Sequence, residues 1–175
     1  VIIASGAMGR GEPIPGEQQY VGRGVSYCGT CDGAFFKDQE VAVAGNNTEA
    51  VEEALFLTRF ASRVHLLAQT PALRVSDDLV QEVLHNEKII LHPGSRLQEI
   101  LGDDGVTGVR IREGGQETVL PVTGVFIYLQ GRQPITGFLG DQLVRSEGGC
   151  LEVDEMMQTS IPGVFAVGDV LCNHL

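Results

Sequence analysis

Three things are missing from this 175-residue chain, and each argues against a class of function. No apolar run reaches the roughly 18 residues that a membrane-crossing helix needs, and no stretch resembles a cleavable signal. No basic cluster stands against the formal net charge of -11, which argues against nucleic acid or an anionic membrane surface as a partner. No second C-x-x-C accompanies Cys28 and Cys31, and His65, His85, His92 and His174 are scattered, so a structural zinc site lacks its usual second ligand pair. The chain also starts without a methionine: Val1-Ile2-Ile3-Ala4 begins abruptly as a strand, and "VFAVGDVLCNHL" stops just after one. Both ends are expected to be cuts in a longer protein, the alternative being a complete small domain with buried termini.

What is present is ordinary for a globular protein, 43 % hydrophobic and 20 % charged, and the cytoplasm is the expected location. Residues 9 to 24 carry five glycines with Pro13 and Pro15 and read as an extended linker. From Gln39 a strand-helix-strand pattern begins. "EVAVAG" is a buried strand, Thr48 to Ala61 is expected to be helical with Val51, Ala54, Leu55 and Thr58 on one face, and "RVHLLA" is the next strand. Ser76 is placed to cap a further helix through His85, with Asp77 and Asp78 in its favourable first turn. "KIILH" gives another strand, and "RLQEIL", "GVTGVRIRE" and "QETVLPV" alternate as an antiparallel meander. "GVFIYL" and "IPGVFAVGD" supply two more buried strands. The expected fold is α/β: a Rossmann-like three-layer domain with an antiparallel β-meander insertion.

The cysteine pair in "SYCGTCDG" carries the chemistry. Zinc ligation and inert core thiols remain alternatives, but the context favours a redox couple. A helix starting after Cys28 would put that thiol at its N-terminus, where the dipole lowers its pKa toward the reactive range. Asp32 follows Cys31 directly and is a candidate to protonate a departing thiolate; as a first-turn acid it would equally suit the helix dipole. Cys150 and Cys172 are single in sequence and are expected to be incidental thiols.

"GVSYCGTCDGAFFKDQEVAVAG", "VEEALFLTRFASRVHLL", "GVTGVR" and "TSIPGVFAVGDV" together resemble the low-molecular-weight thioredoxin reductases, in the right order over essentially the whole chain. The resemblance implies an FAD domain interrupted by a central pyridine-nucleotide domain that carries the active-site disulfide. Residues 1–8 and 157–175 would then be strands of an incomplete FAD domain, residues 9–156 the central domain, with hinges near Gly6-Ala7-Met8 and Met157-Gln158-Thr159. By the same resemblance Cys31 is the flavin-side sulfur, Cys28 attacks the substrate disulfide, and Asp32 is the acid-base carboxylate. Gly6, Gly168 and Asp169 would lie at the flavin. FAD is implied for the intact protein but not expected to be held by this piece alone, which is expected to be inactive. Thioredoxin or a similar protein disulfide is the implied partner, and a homodimer the implied assembly.

The coenzyme turn departs from that family. In "AGNNTEA", Gly45 is kept, but Asn47 stands where a second glycine would admit a pyrophosphate. Asn46 and Glu49 are spaced as a capping box that would satisfy the helix amides internally. After the next strand, Ala68, Gln69 and Thr70 replace the basic residues that bind a 2′-phosphate, and no acid is present for a ribose. NADPH is therefore the less expected donor, and the chain resembles the ferredoxin-dependent and deeply rooted reductases that lack pyridine-nucleotide motifs. An NADPH-dependent enzyme with an atypical coenzyme site and a redox-inert binding domain are the alternatives.

Overall fold

The computed structural model describes residues 1–7, 10, 13–129 and 134–171. In chain order the elements are β1 (Ile2–Ile3), α1 (Glu17–Tyr20), β2 (Val25–Ser26), α2 (Gly29–Asp32), β3 (Glu40–Ala44), α3 (Thr48–Leu57) and β4 (Arg63–Ala68). There follow α4 (Asp77–His85), β5 (Ile89–Pro93), β6 (Arg96–Gly102), β7 (Val106–Glu113), β8 (Gln116–Leu120), β9 (Gly124–Ile127) and β10 (Phe165–Ala166). They form two compact units, Pro13–Leu129 and a second made of Val1–Glu12 with Gln130–Leu175.

The Pro13–Leu129 unit is built on a five-stranded parallel sheet of order β2-β9-β3-β4-β5. Its central strands are covered on both faces, which is why "VAVA" and "VHLLA" read as near-continuous apolar runs. Their alternation still sorts the two faces. Val41, Val43, Val64, Leu66 and Phe126 pack under Ala50, Val51, Ala54 and Leu57 of α3. Ala42, Leu67, Val125 and Ile127 point the other way, onto Ile100, Val109 and Ile111 of an antiparallel sheet of order β6-β7-β8. Helices, parallel sheet and antiparallel sheet are thus the three layers, as the sequence pattern predicts. After β3, β4 and β5 the chain returns to place β9 on the other side of β3. The crevice between the C-terminal ends of β3 and β9 is consequently the topological switch point, the usual ligand position in such sheets.

In the other unit, β1 and β10 pair in parallel, with Ile2 opposite Phe165 and Ile3 opposite Ala166. Ile3, Leu143, Leu151, Ala166, Val170 and Leu171 form its interior.

The structure corrects several expectations. The glycine- and proline-rich linker contains α1, whose Glu17 and Tyr20 are buried. Glu17 accepts the Ile14 amide and the Tyr27 hydroxyl, so polar side-chain bonds hold a segment whose composition signals only coil. Helix α3 stops at Leu57, short of Ala61, because the following residues leave the helix in hydrogen-bonded turns: the Thr58 and Phe60 amides donate to the Leu55 and Leu57 carbonyls. The compact unit that holds the parallel sheet ends at Leu129, and Leu143 and Leu151 pack with Ile3 and Ala166. Met157 packs against that cluster with a left-handed backbone (φ 62°), and its carbonyl accepts the Ala166 amide. Cys150 is disulfide-bonded rather than a lone thiol. Met8, Cys172 and His174 lie outside the described residues. Among the described residues, no helix is long and apolar enough to cross a membrane.

Candidate functional site

The chain leaves the buried end of β2 and turns directly into the single turn α2, which places Cys28 at the N-cap. Cys28 and Cys31 are joined as a disulfide, an arrangement that fits neither zinc-ligating thiolates nor separate core thiols. The backbone of Cys28 is extended, and its Sγ accepts the Cys31 amide at 3.1 Å. An amide aimed at that sulfur stabilises a thiolate there once the disulfide opens. Cys28 is half-buried and Cys31 exposed.

Asp32, the last residue of α2, is held from below. Its Oδ2 accepts the Ser26 hydroxyl at 2.6 Å, and the same Ser26 oxygen accepts the Cys28 amide at 3.1 Å. One buried serine therefore fixes both ends of the C-x-x-C-D turn. Beside it opens a cavity of about 350 Å³ lined by Arg23, Gly24, Ser26, Asp32, Phe35 and Val106 among others. Phe35 is 77 % exposed at its rim, so the carboxyl of Asp32 and a bare aromatic ring border one opening.

A second set of residues supports the turn from the switch-point side. Tyr128 continues from β9, and its hydroxyl accepts the buried Gly29 amide at 2.8 Å. Burial, opposed by that hydrogen bond and reinforced by the charge of Glu53, holds the phenol well above its ordinary pKa. Glu53 packs closely here: a β-carbon at Gly29 would stand 2.2 Å from Glu53 Oε2, so a larger residue would have to displace that side chain. Neither Tyr128 nor Glu53 carries a motif. The one sequence signal is that "GVFIYL" ends its apolar run with a tyrosine where the sheet meets the crevice.

The turn after β3 is occupied by the protein's own side chains. Asn47, not Asn46, is the N-cap of α3, its Oδ1 accepting the Ala50 amide at 3.0 Å. Asn46 instead reaches across to Thr70 beyond β4, donating to its hydroxyl at 2.6 Å, and its carbonyl accepts the Arg74 amide. The expected box does not form: Asn46 finds a tertiary partner that local spacing does not reveal, and with Asn47 as the cap the third helical position is Ala50. Glu49 is in the first turn of α3, as expected.

In the other unit, Gly6 follows β1 and Gly168-Asp169 follow β10, so the three are brought to the same end of a parallel strand pair. Asp169 is exposed, and a β-carbon placed on Gly6 or Gly168 would meet nothing within 4 Å.

A family model described as pyridine nucleotide-disulphide oxidoreductase matches residues 1–174. The chain belongs to this family. It is 46 % identical to thioredoxin reductase of Aquifex aeolicus over all of its own length and 55 % of that protein's. Among solved structures, thioredoxin reductase of Lactococcus lactis matches at 42 % identity with a TM-score of 0.80, covering 99 % of this chain and 58 % of that one. A ferredoxin-flavin thioredoxin reductase from Clostridium acetobutylicum matches at 32 % identity and a TM-score of 0.59, covering 97 % and 53 %. The likeness to the ferredoxin-flavin reductase is weaker, in identity and in TM-score, than the likeness to the Lactococcus lactis reductase, whose name carries no such qualifier. The chain spans about half the length of these relatives.

Proposed function

We propose that this chain is part of a flavin-dependent disulfide oxidoreductase that reduces thioredoxin or a similar protein disulfide. The observation that carries the reading is the Cys28–Cys31 disulfide on a capped turn, with Asp32 anchored through Ser26 beside an open cavity. In the reduced state Cys28, which receives the Cys31 amide, is the attacking thiolate. It forms a mixed disulfide with the partner, and the partner's departing sulfur takes a proton that Asp32 relays from solvent. Cys31 then attacks the Cys28 sulfur, restoring the internal disulfide and releasing the second partner thiol, so two electrons and two protons leave in all. Phe35 and the cavity beside it offer the partner an apolar contact.

The open strand ends at Gly6 and Gly168, with the exposed Asp169, suit a flavin, which these residues would hold in the intact protein, itself expected to be a homodimer. When bound, FAD supplies the electron pair that opens the disulfide.

The donor reading is that electrons arrive without NADPH, with reduced ferredoxin as the source. Asn47 caps the amide a pyrophosphate would use, Glu49 adds negative charge, and the Asn46–Thr70 bond spans the ends of β3 and β4. The test is anaerobic titration of the full-length protein with NADPH, NADH and reduced ferredoxin, following flavin bleaching. Ferredoxin is expected to bleach the flavin rapidly and NADPH not to. Rapid bleaching by NADPH overturns the donor reading, and loss of no disulfide reductase activity in Cys28→Ser overturns the reductase reading itself.

A further inference from the structure

Placing a thiol at the start of a helical turn creates a difficulty for a reductase. Aligned amides lower the thiol pKa, and a lower pKa makes the thiolate a weaker nucleophile and the disulfide a stronger oxidant. A couple meant to give electrons away needs that effect restrained. Glu53 is placed to do so, and the chemistry described above makes no use of it. It reaches from α3 to the foot of α2, with Oε1 3.5 Å from the Thr30 hydroxyl and Oε2 pressed against Gly29. That Oε2 is buried and has no hydrogen-bond partner. The Tyr128 hydroxyl also interacts with the Glu53 carboxylate, which raises the phenol's pKa, so Glu53 lies between that phenol and Gly29, the residue next to Cys28. Tyr128 fixes the same spot by taking the Gly29 amide, so that amide is occupied and does not turn toward the sulfur.

We propose that Glu53 and Tyr128 are a positioning pair behind the redox disulfide: Tyr128 holds the Gly29 amide, and Glu53 sets a negative charge at the head of the turn that restrains ionisation of Cys28. The other charged group on the turn itself is Asp32, and Glu49 faces Tyr128 from the same helix as Glu53. All of these are acidic, so they act in the same sense as Glu53. This inference rests on the reductase reading for its purpose, but not for its measurement.

The test uses the full-length protein reduced with dithiothreitol, which closes to its own ring disulfide as it delivers two electrons. Alkylation of Cys28 by iodoacetamide is followed against pH by mass spectrometry, and the Cys28–Cys31 equilibrium with dithiothreitol is measured separately. Glu53→Gln is expected to move the alkylation profile to lower pH, raising the rate below neutrality about threefold, and to make the disulfide about threefold easier to reduce. Glu53→Asp, which keeps the charge, is expected to stay near the wild-type profile. Tyr128→Phe keeps the ring and removes the acceptor, so hydrogen exchange at the Gly29 amide is expected to speed up at least about tenfold. A Glu53→Gln profile that coincides with wild type, or unchanged Gly29 exchange in Tyr128→Phe, overturns the proposal. Neither readout requires turnover. Unshifted profiles in an active reductase refute the pair alone, whereas shifted profiles in a protein that reduces no disulfide refute the reductase reading alone.

Discussion

Ser26→Ala is the most informative single change at the disulfide, because one oxygen serves two partners there. The hydroxyl donates to Asp32 at 2.6 Å and accepts the Cys28 amide at 3.1 Å, and Ser26 is only 5 % exposed. Alanine removes both bonds and leaves a half-buried amide without an acceptor. A hydrogen bond to a charged group is worth about 1.5–3 kcal/mol and a stranded buried donor costs about 1–3 kcal/mol. Asp32 is half-exposed, so water replaces part of what it loses, and the net expectation is about 2 kcal/mol of destabilisation. Urea unfolding of the oxidised protein, followed by circular dichroism, measures this directly. Native-state hydrogen exchange supplies the local check: the Cys28 amide is expected to lose protection, while amides in β4 keep theirs at low denaturant. The exposed neighbour Thr30→Ala is the reference, expected within about 0.5 kcal/mol of wild type. If Ser26→Ala also falls within that margin and Cys28 exchange is unchanged, the serine does not tie the two ends of the turn and the reasoning fails.

Phe126→Ala, at a fully buried ring packed edge-on to Phe36 at 5.3 Å, is expected to cost about 3–5 kcal/mol in the same urea assay. Phe35→Ala, at a ring 77 % exposed, is expected to cost less than about 0.5 kcal/mol. A third expectation concerns the chain Glu40–His65–His92–Glu113, linked at 3.1, 3.0 and 3.3 Å. Burial, opposed by the Glu40 bond, holds His65 below its ordinary value of 6.5. The unfolded histidine therefore takes up its proton first as pH falls. The stabilising contribution is complete above about 6.5 and is lost as pH drops through the folded-state value. The stability gap between wild type and His65→Gln is expected to narrow from pH 7.5 to pH 5; a gap that widens refutes the assignment.

The parallel sheet was legible because its signal is local. "EVAVAG" and "RVHLLA" are short, near-continuous apolar runs, rich in Val and flanked by turn residues, which is the pattern of strands buried on both faces. The redox turn was legible for a similar reason, since the cap, the pair and the carboxyl lie within five consecutive residues, Cys28 to Asp32. Linker composition failed at α1 because Gly and Pro report the freedom of the chain, whereas Glu17 is fixed by the nearby Ile14 amide and Tyr27 hydroxyl and Tyr20 by the distant Gly102 carbonyl. The extent of the compact units is a different matter. Residues 134–156 carry few strong periodic signals, and only the contacts of Leu143 and Leu151 assign them to the unit containing Ile3.

The same distinction separates the halves of the candidate site. Asp32 could be named from sequence because it touches the pair through the chain itself. Tyr128 lies 99 residues from Gly29, and Glu53 belongs to a helix whose sequence reads only as amphipathic. What brings them to Cys28 is the strand order: β9 lies between β2, which launches the redox turn, and β3, which launches α3. A side chain just past β9 and one on the inner face of α3 must then converge on whatever follows β2. The crossover connection that defines a coenzyme crevice thus also places a phenol and a carboxylate behind the disulfide. For that reason, substitutions at the crevice are expected to register in the chemistry of Cys28, even though no residue there contacts its sulfur through the sequence.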